Sequence, residues 1–310
     1  MKQNACKIII MKISILITTK NRRDDLAFTL YKISFLLKQP NVECVVYDDG
    51  SIDGTSEFLK VSYPEIILYS NKLSKGYLYC RNKMLNETTA DFAISLDDDA
   101  HFITEGVLEI IESYFNQNPR VALLGFRIYW SKQLPNSEVS NHKPTQMKSY
   151  VGCAHVWRMN SWRNIPNYPE WFMFYGEENF ASYQLFKKKW EIHYLPDVLV
   201  NHRVNIVERK KNADYTLRLQ RSLQSGWYLY FLFYPITVIP RKLIYSIWMQ
   251  IKLKVFKGDF KALKAILLAI MNLFINIPNI LKNANRLSLK EYNLYQQLEE
   301  TKIYWKPEDK

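Results

Sequence analysis

Carboxylates that follow apolar, strand-like segments are the residues of this sequence best suited to chemistry. Asp97, Asp98 and Asp99 come directly after the apolar run 92–96, and three adjacent carboxylates repel one another unless something compensates their charge. Mg²⁺ and Mn²⁺ prefer such oxygen ligands, together with substrate phosphates. A helix cap or a plain acidic loop would also explain the triplet, whereas an EF-hand is disfavoured because its glycine and final glutamate are missing. The triplet predicts either a divalent-cation site or an acidic turn.

A second polar cluster, DDGSIDGT at residues 48–55, also follows an apolar run. Asp and Gly suit a turn for local reasons. The functional alternative is a nucleotide contact, since a carboxylate can accept from a base N–H or a ribose hydroxyl and a glycine lets the backbone approach. The sequence contains neither GxGxxG nor GxxxxGK[ST], which argues against a dinucleotide fingerprint and a P-loop.

The elements that must position these clusters alternate between strand-like and helix-like patterns. Strand-like runs occupy residues 13–18, 43–47, 66–69 and 92–96, with helical patterns between them. This alternation predicts an α/β fold with a mostly parallel sheet. Ligands of such sheets bind beyond the carboxyl ends of the strands, and both acidic clusters lie at such ends.

Four motifs over residues 12–102, in this order, resemble family 2 glycosyltransferases with the GT-A fold, a Rossmann-like, mostly parallel sheet flanked by helices. They are ITTKNR at 17–22, VYDDGSIDGT at 46–55, Gly76 followed by Cys80-Arg81-Asn82, and LDDD at 96–99.

The resemblance implies a nucleotide-sugar donor, linked to UDP, GDP or dTDP, and a Mn²⁺ or Mg²⁺ cofactor. It implies Asp99, Asp97 and His202 as metal ligands. The residues expected to bind the nucleotide sugar are Thr18, Thr19, Asn21, Arg22, Asp48, Asp49, Ser51, Gly76, Arg81, Asp97 and Asp98.

Weaker motifs extend the resemblance to about residue 205, through the half expected to bind the acceptor. VGCA at 151–154 resembles a small-residue strand lining the active site, although a tight bend would equally explain its glycine. YGEEN at 175–179 resembles the motif that supplies the catalytic base. Glu178 aligns with the base and Glu177 stays a candidate, while a helix beginning near Asn179 offers a capping alternative. A second Glu replaces the usual Asp here, and Phe180 stands where another acid is common.

The implied reaction is one displacement that inverts the anomeric carbon, with a carboxylate deprotonating the acceptor hydroxyl. The acceptor is expected to be a glycan or a lipid-linked glycan in surface-polysaccharide synthesis. A nucleotidyltransferase is one alternative, although the 18–22 turn lacks that class's glycines. A non-catalytic sugar-nucleotide or glycan-binding protein of the same fold is another.

Composition excludes several classes and divides the chain. With 48% hydrophobic and 15% aromatic residues, the chain is not disordered. Four scattered cysteines argue against a disulfide framework and fit a reducing compartment. Of the net charge of +12, residues 1–200 contribute +1 and residues 201–310 contribute +11. No signal peptide is evident at the N-terminus, and we expect a cytoplasmic catalytic domain at 12–205, with halves 12–102 and 103–205.

Residues 206–310 are expected to form a basic, amphipathic helical region. The uncharged run 222–240 is interrupted by Pro235 and Pro240, which favours an interfacial or re-entrant segment over a spanning one. An apolar helical stripe that contains Trp248 is flanked or opposed by basic residues. This stripe and a second uncharged run at 265–281 suit an anionic membrane surface, on the inner face of the cell membrane. The alternative is that both runs pack on the catalytic domain. The sequence contains no nucleic-acid-binding motif. Processive members of the resembled family carry a Gln-x-x-Arg-Trp motif, and residues 224–227 lack its arginine, which disfavours a processive polysaccharide synthase.

Overall fold

The computed structural model describes residues 11–204 and 214–307. Within them the strands form one nine-stranded sheet in the order β3-β2-β1-β4-β8-β6-β9-β5, with β7 beside β9. The strands are β1 Ile13–Thr19, β2 Val42–Asp48, β3 Ile67–Ser70, β4 Phe92–Asp97, β5 Ala100–Phe102, β6 Val121–Trp130, β7 Thr145–Gln146, β8 Ala154–Arg158 and β9 Glu191–His202.

Helices cover both faces of the sheet and continue beyond it. The first seven are α1 Arg23–Lys32, α2 Ser34–Leu37, α3 Thr55–Ser62, α4 Tyr77–Glu87, α5 Val107–Gln117, α6 Met159–Trp162 and α7 Glu177–Lys187. Those of the C-terminal region are α8 Tyr215–Phe233, α9 Ile239–Leu253, α10 Phe260–Ile275, α11 Ile277–Asn283 and α12 Leu289–Gln297. This composition of elements confirms the predicted α/β class and the helical C-terminal region.

The strand directions divide the sheet into two halves. Strands β1 to β4 are mutually parallel, as the alternating pattern predicted, because each crossover carries a helix. Strand β8 then runs antiparallel to both β4 and β6. The register pairs Thr18 with Asp97 and Thr19 with Asp48, so the two acidic clusters lie at the same edge.

Two apolar cores lie on opposite faces of the sheet. One joins the sheet to α1 and α5. The other joins it to α4, α7 and α8 and reaches the helices that follow. Strands buried on both faces are mostly apolar, which explains why 13–17 and 92–96 each contain a single polar residue, Ser14 and Ser95.

The run 222–240 is the main departure from the expected organisation. Most of its helical part is buried inside the protein, with Trp227, Tyr228 and Phe233 almost inaccessible to solvent. Tyr183 stacks on Phe233 with ring centroids 4.8 Å apart, and Trp171 contacts Tyr228 at 5.0 Å. The structure therefore favours packing on the catalytic domain over the interfacial or re-entrant placement, because aromatic rings of α7 and the preceding loop cover this helix.

Among the described residues, no single helix combines the length and the apolar composition needed to cross a bilayer. Within the part of the chain that the structure describes, only α10 and α11 taken together, as a pair bent by 59°, meet those two criteria.

Some element boundaries differ from the predicted ones by one or two residues. The helix expected near Asn179 begins at Glu177, and the third strand is 67–70 rather than 66–69. Glycines with positive φ precede both α5, at Gly106 (φ 62°), and α7, at Gly176 (φ 83°). Because glycine adopts this conformation readily, the chain enters each helix directly after it.

Candidate functional site

The acidic triplet and His202 form a compact group at the carboxyl edge of the sheet. One ligand atom each from Asp97, Asp99 and His202 lies within 4.8 Å of the others, and Asp99 Oδ1 is 2.9 Å from His202 Nε2. The pairing of Ala100 with His202 across β5 and β9 brings the histidine there. The buried His202 Nδ1 has no hydrogen-bond partner among the described residues. This donor set, two carboxylates and one imidazole, fits a divalent cation.

The Asp98 carboxylate is bound by donors of the protein. Its carboxylate accepts a hydrogen bond from Thr19 Oγ1 at 2.8 Å and lies 3.2 Å from Arg22 Nη1. Burial raises the pKa of Asp98 to about 7, against the opposing charge of Arg22. Burial would also raise the pKa of Asp99, but the hydrogen bond and charge of His202 together with Arg22 outweigh it and hold that pKa below its usual range. The middle carboxylate of the triplet is thus in a different environment from its neighbours.

Arg81 links the end of β4 to the turn before β8. Its side chain is 3% exposed and donates to Asp97 Oδ1 at 2.7 Å and to the carbonyl of Gly152 at 3.0 Å. The ring of Tyr77 lies 4.3 Å from the guanidinium. Burial raises the pKa of Asp97 although Arg81 opposes the shift. The guanidinium therefore fixes Asp97 relative to the strand that follows Gly152.

The loop after β2 is tied to the turns on either side. Ser51 Oγ accepts from the Asn21 backbone N–H at 2.8 Å, and the Ile52 N–H donates to Asn21 Oδ1 at 2.8 Å. Asp48 accepts from the Ser51 N–H at 2.9 Å. These bonds hold the predicted nucleotide-binding residues Asn21, Asp48 and Ser51 in one rigid corner.

Asp49 is engaged by the protein at both oxygens. Asn71 and the Lys75 N–H donate to one oxygen, each at 2.8 Å, while Ser74 and the Gly76 N–H donate to the other at 2.6 and 2.9 Å. These bonds hold the pKa of Asp49 below its usual value despite burial. The carboxylate orders the loop that leads to Gly76, whose φ of 101° suits glycine. Its predicted contact with a nucleotide sugar stays a prediction.

Glu177 and Glu178 occupy the first turn of α7. Glu177 is buried and Glu178 is partly exposed. A Cβ added to Gly152 would lie 2.6 Å from Glu178 Oε1, so the glycine in VGCA is explained by a close approach of the carboxylate. This contact places Glu178 beside the strand that Arg81 ties to Asp97.

The two glutamates perturb one another. Burial raises the pKa of Glu177 well above its usual range, and the charge of Glu178 raises it further. Burial likewise raises the pKa of Glu178. A carboxylate with a raised pKa is a stronger base once ionised, which suits the more accessible Glu178 to proton abstraction.

Phe180 stands at a core position. Its ring contacts those of Phe172 at 6.1 Å and Phe233 at 5.4 Å, and its side chain is 2% exposed. An acid here would be buried among aromatic rings. Packing against α8 accounts for the departure from the family pattern.

Sequence reasoning missed two neighbours of the site. Trp130, at the end of β6, lies against His202 with ring centroids 4.4 Å apart, and Arg203 donates to Thr29 Oγ1 at 2.7 Å. Neither stands in a recognisable motif. The only available signal was the position of Trp130 at the end of an apolar strand.

The parallel strands, the antiparallel insertion of β8 and the acidic edge define a GT-A type α/β protein. The chain matches the sequence model of Glycosyl transferase family 2 over residues 14–186. That match covers more than half of the chain, and the protein belongs to this family.

Solved structures share the fold at low sequence identity. GalNAc-T7 with UDP, GalNAc and Mn²⁺ superposes with a TM-score of 0.60 at 11% identity over 88% of this chain. This chain spans 58% of the GalNAc-T7 chain. The mannosyltransferase PcManGT from Pyrobaculum calidifontis, with GDP-Man and Mn²⁺, gives 0.52 at 14% identity, covering 92% of this chain and 79% of its own. S. aureus TarS 1–349 with UDP-GlcNAc gives 0.50 at 14%, covering 71% and 67%.

Proposed function

We propose that this protein is a metal-dependent, inverting glycosyltransferase. It transfers a sugar from a nucleotide-sugar donor to a hydroxyl of a glycan or lipid-linked acceptor in cell-surface polysaccharide synthesis. The observation that carries the proposal is the arrangement of Asp97, Asp99 and His202 within 4.8 Å, with Glu178 directly against Gly152 in the turn before β8.

The donor half supports a nucleotide sugar. The corner formed by Asn21, Asp48 and Ser51 is rigid and polar, and it lies at the carboxyl edge where α/β sheets bind nucleotides. Proteins of the same fold hold UDP, GDP-Man or UDP-GlcNAc. Thr18 Oγ1 is buried without a hydrogen-bond partner among the described residues, and is free to bond to a ligand.

Asp99, Asp97 and His202 would hold a Mn²⁺ or Mg²⁺ ion. Such an ion neutralises the diphosphate of the donor and makes the nucleoside diphosphate a better leaving group. Two structures of the same fold contain Mn²⁺. Arg81 holds the Asp97 carboxylate in place from the protein side.

Glu178 supplies the base. Its carboxylate takes the proton of the acceptor hydroxyl while that oxygen attacks the anomeric carbon, and the bond from the carbon to the diphosphate oxygen breaks on the opposite face. One such displacement inverts the anomeric configuration. Glu177 is buried, and the charge of Glu178 adds to burial in raising the pKa of Glu177.

Calorimetry of the full-length protein with UDP-, GDP- and dTDP-sugars, with and without Mn²⁺, tests donor binding. We expect one nucleotide class to bind only when the metal is present. In the Asp99→Asn variant, Mn²⁺ should no longer promote donor binding. Asp197→Asn, at an exposed residue of β9, is the matched control and should bind as the wild type does. Failure of every donor to bind would contradict the proposal.

A mass-spectrometric screen with a membrane extract as acceptor then tests transfer, and NMR of the product reports its anomeric configuration. Retention of configuration would exclude the single displacement. Donor binding without any transfer would instead indicate the non-catalytic binding protein, and release of pyrophosphate from a nucleoside triphosphate would indicate a nucleotidyltransferase.

A further inference from the structure

Helices α10 and α11 expose an apolar face to solvent. Six of their side chains face solvent, and the five on α10 are each three, four or seven residues from another member, which places them on one side of that helix. Each of them is at least half exposed. We call this set the outer apolar face; it comprises Phe260, Leu267, Met271, Phe274, Ile275 and Leu281.

The opposite side of α10 is buried and holds the helix to the protein. Ala262, Ala265 and Ala269 are inaccessible to solvent, and such small side chains allow close packing along α8. Asn272 Nδ2 donates to Gln224 Oε1 at 2.6 Å, and Tyr228 OH donates to the carbonyl of Asn272. Because this side is already packed, the outer apolar face has no partner within residues 11–204 and 214–307.

Helix α9 and the turn after it extend the exposed apolar surface. Ile244 and Trp248 are 67% and 49% exposed, and Phe256 is 70% exposed. The rings of Trp248 and Phe256 are 6.0 Å apart. Since Phe256 lies four residues before α10, this contact connects the exposed side of α9 to the outer apolar face. A continuous apolar surface of this kind marks an interaction site.

The same region is basic. Residues 215–290 contain twelve Lys or Arg and a single acid, Asp259. That carboxylate caps α10 through the Ala262 N–H at 2.9 Å and accepts from Tyr215 OH at 2.7 Å, so it is held within the protein. Exposed lysines flank the outer apolar face at Lys252, Lys257, Lys261, Lys264 and Lys282.

We propose that the outer apolar face, with Trp248 and the flanking lysines, docks on an anionic lipid bilayer. The inner side of α10 stays on the protein, so the helix lies in the interface with its apolar side chains among the acyl chains and its lysines at the headgroups. Charge complementarity selects this occupant. A second copy seated on the same face would bring two sets of lysines together, and like charges disfavour that contact. Because the cytoplasmic leaflet carries the anionic lipid, the proposal places the protein peripherally on the inner face of the cell membrane.

Co-sedimentation of the full-length protein with vesicles tests the proposal. One vesicle population contains phosphatidylcholine alone, and the other contains about one third phosphatidylglycerol. We expect strong binding to the anionic vesicles, weak binding to the neutral ones, and a loss of binding in high salt, which screens the lysines. No donor sugar is needed, so failure here is distinguishable from failure of the proposed transfer reaction.

Two variants separate the contributions of charge and apolar contact. Lys257→Gln/Lys261→Gln/Lys264→Gln should lower the affinity for anionic vesicles by about 100-fold, since each lysine contributes about fivefold. Leu267→Asn/Phe274→Asn should weaken binding to both vesicle types.

Their matched controls lie on the catalytic domain. Lys38→Gln/Lys60→Gln/Lys72→Gln changes three exposed lysines, and Val61→Asn/Leu73→Asn changes two side chains that are each 82% exposed. Both controls should bind like the wild type. Circular dichroism melting of every variant checks that the fold is retained.

Three outcomes would overturn the proposal. The first is a wild-type protein that binds neither vesicle type. The second is equal binding by the Leu267/Phe274 variant and its control. The third is a dimer in light scattering that Phe274→Asn alone converts to monomer without changing vesicle binding, which would assign the face to a second copy of the chain.

Discussion

The acidic edge of the sheet and the outer apolar face differ in how their charged side chains are exposed and paired. At the edge, Asp98 and Asp99 are buried and Asp97 is partly buried, and each has a cationic partner, Arg22 for Asp98 and Asp99 and Arg81 for Asp97. On α9 to α11, lysines are exposed and surround apolar side chains. A buried charge requires a partner at a defined distance, whereas an exposed charge acts as part of a field. The first arrangement suits one small ligand and the second suits an extended surface.

The two regions are also connected. Ser225 of α8 donates to the carbonyl of Phe174 at 3.2 Å, and a Cβ on Gly176 would lie 3.1 Å from Ser225 Cβ. Helix α10 packs against another side of α8. The C-terminal region therefore supports the turn that presents Glu178, and the two regions are parts of one packed unit.

The largest expected effect is on the candidate base. Glu178→Gln should lower the transfer rate by about 1,000-fold, because the amide cannot accept the acceptor proton. Donor affinity should change little, as calorimetry can show. Glu177→Gln, its buried neighbour, should retain most of the rate; the reverse ranking would make Glu177 the base.

Buried and exposed ion pairs should differ strongly in their contribution to stability. Arg81→Met leaves Asp97 without its partner and should lower the free energy of unfolding by about 3–5 kcal/mol. Arg23 and Asp24 form the exposed counterpart, with side chains 48% and 90% exposed, and Arg23→Met should cost about 0–1 kcal/mol. Urea unfolding measures both. Equal losses would contradict the contrast between buried and exposed charge.

The close approach at Gly152 provides a sharper test of geometry. Gly152→Ala pushes the Glu178 carboxylate away and should lower the transfer rate by about 100-fold, since displacements near 1 Å have such effects. Gly226→Ala, in α8, is the matched control because nothing lies within 4 Å of an added Cβ. It should leave the rate unchanged and stabilise the helix by up to about 1 kcal/mol. An active Gly152→Ala enzyme would separate Glu178 from catalysis.

The smallest expected effect is the pH dependence of stability that Glu177 causes. Burial raises its folded pKa well above its usual value, so the folded protein binds more protons than the unfolded chain at pH values between the unfolded and the folded pKa. Stability from this group is full below the unfolded pKa and is lost as pH rises through the folded pKa. Glu177→Gln should therefore gain stability relative to the wild type at pH 8 but not at pH 4, measured by urea unfolding. An equal difference at both pH values would contradict the buried, ionisable state.

Much of the structure of residues 12–102 was predictable because the sequence patterns that indicate it are local. Apolar runs, turn residues and the position of carboxylates after strands predicted β1, β2 and β4 and the shared edge. The structure of residues 103–204 was less predictable. β8 runs antiparallel to its neighbours, and its pairing partners are distant in sequence. Trp130 lies beside His202 because β6 pairs with β9, a long-range pairing that no local pattern encodes.

By itself, the sequence determined which residues carry charge, where strands end, and that the last third of the chain is basic and apolar. Only the tertiary structure decided that Thr19 and Arg22 bind Asp98, that Glu178 contacts Gly152, and that the helical part of the run 222–240 is buried while the outer face of α10 is exposed. The physical reason is that an apolar run is equally consistent with contact to protein and to lipid. The distribution between the two is decided by which aromatic side chains of α7 and α8 meet in the folded chain.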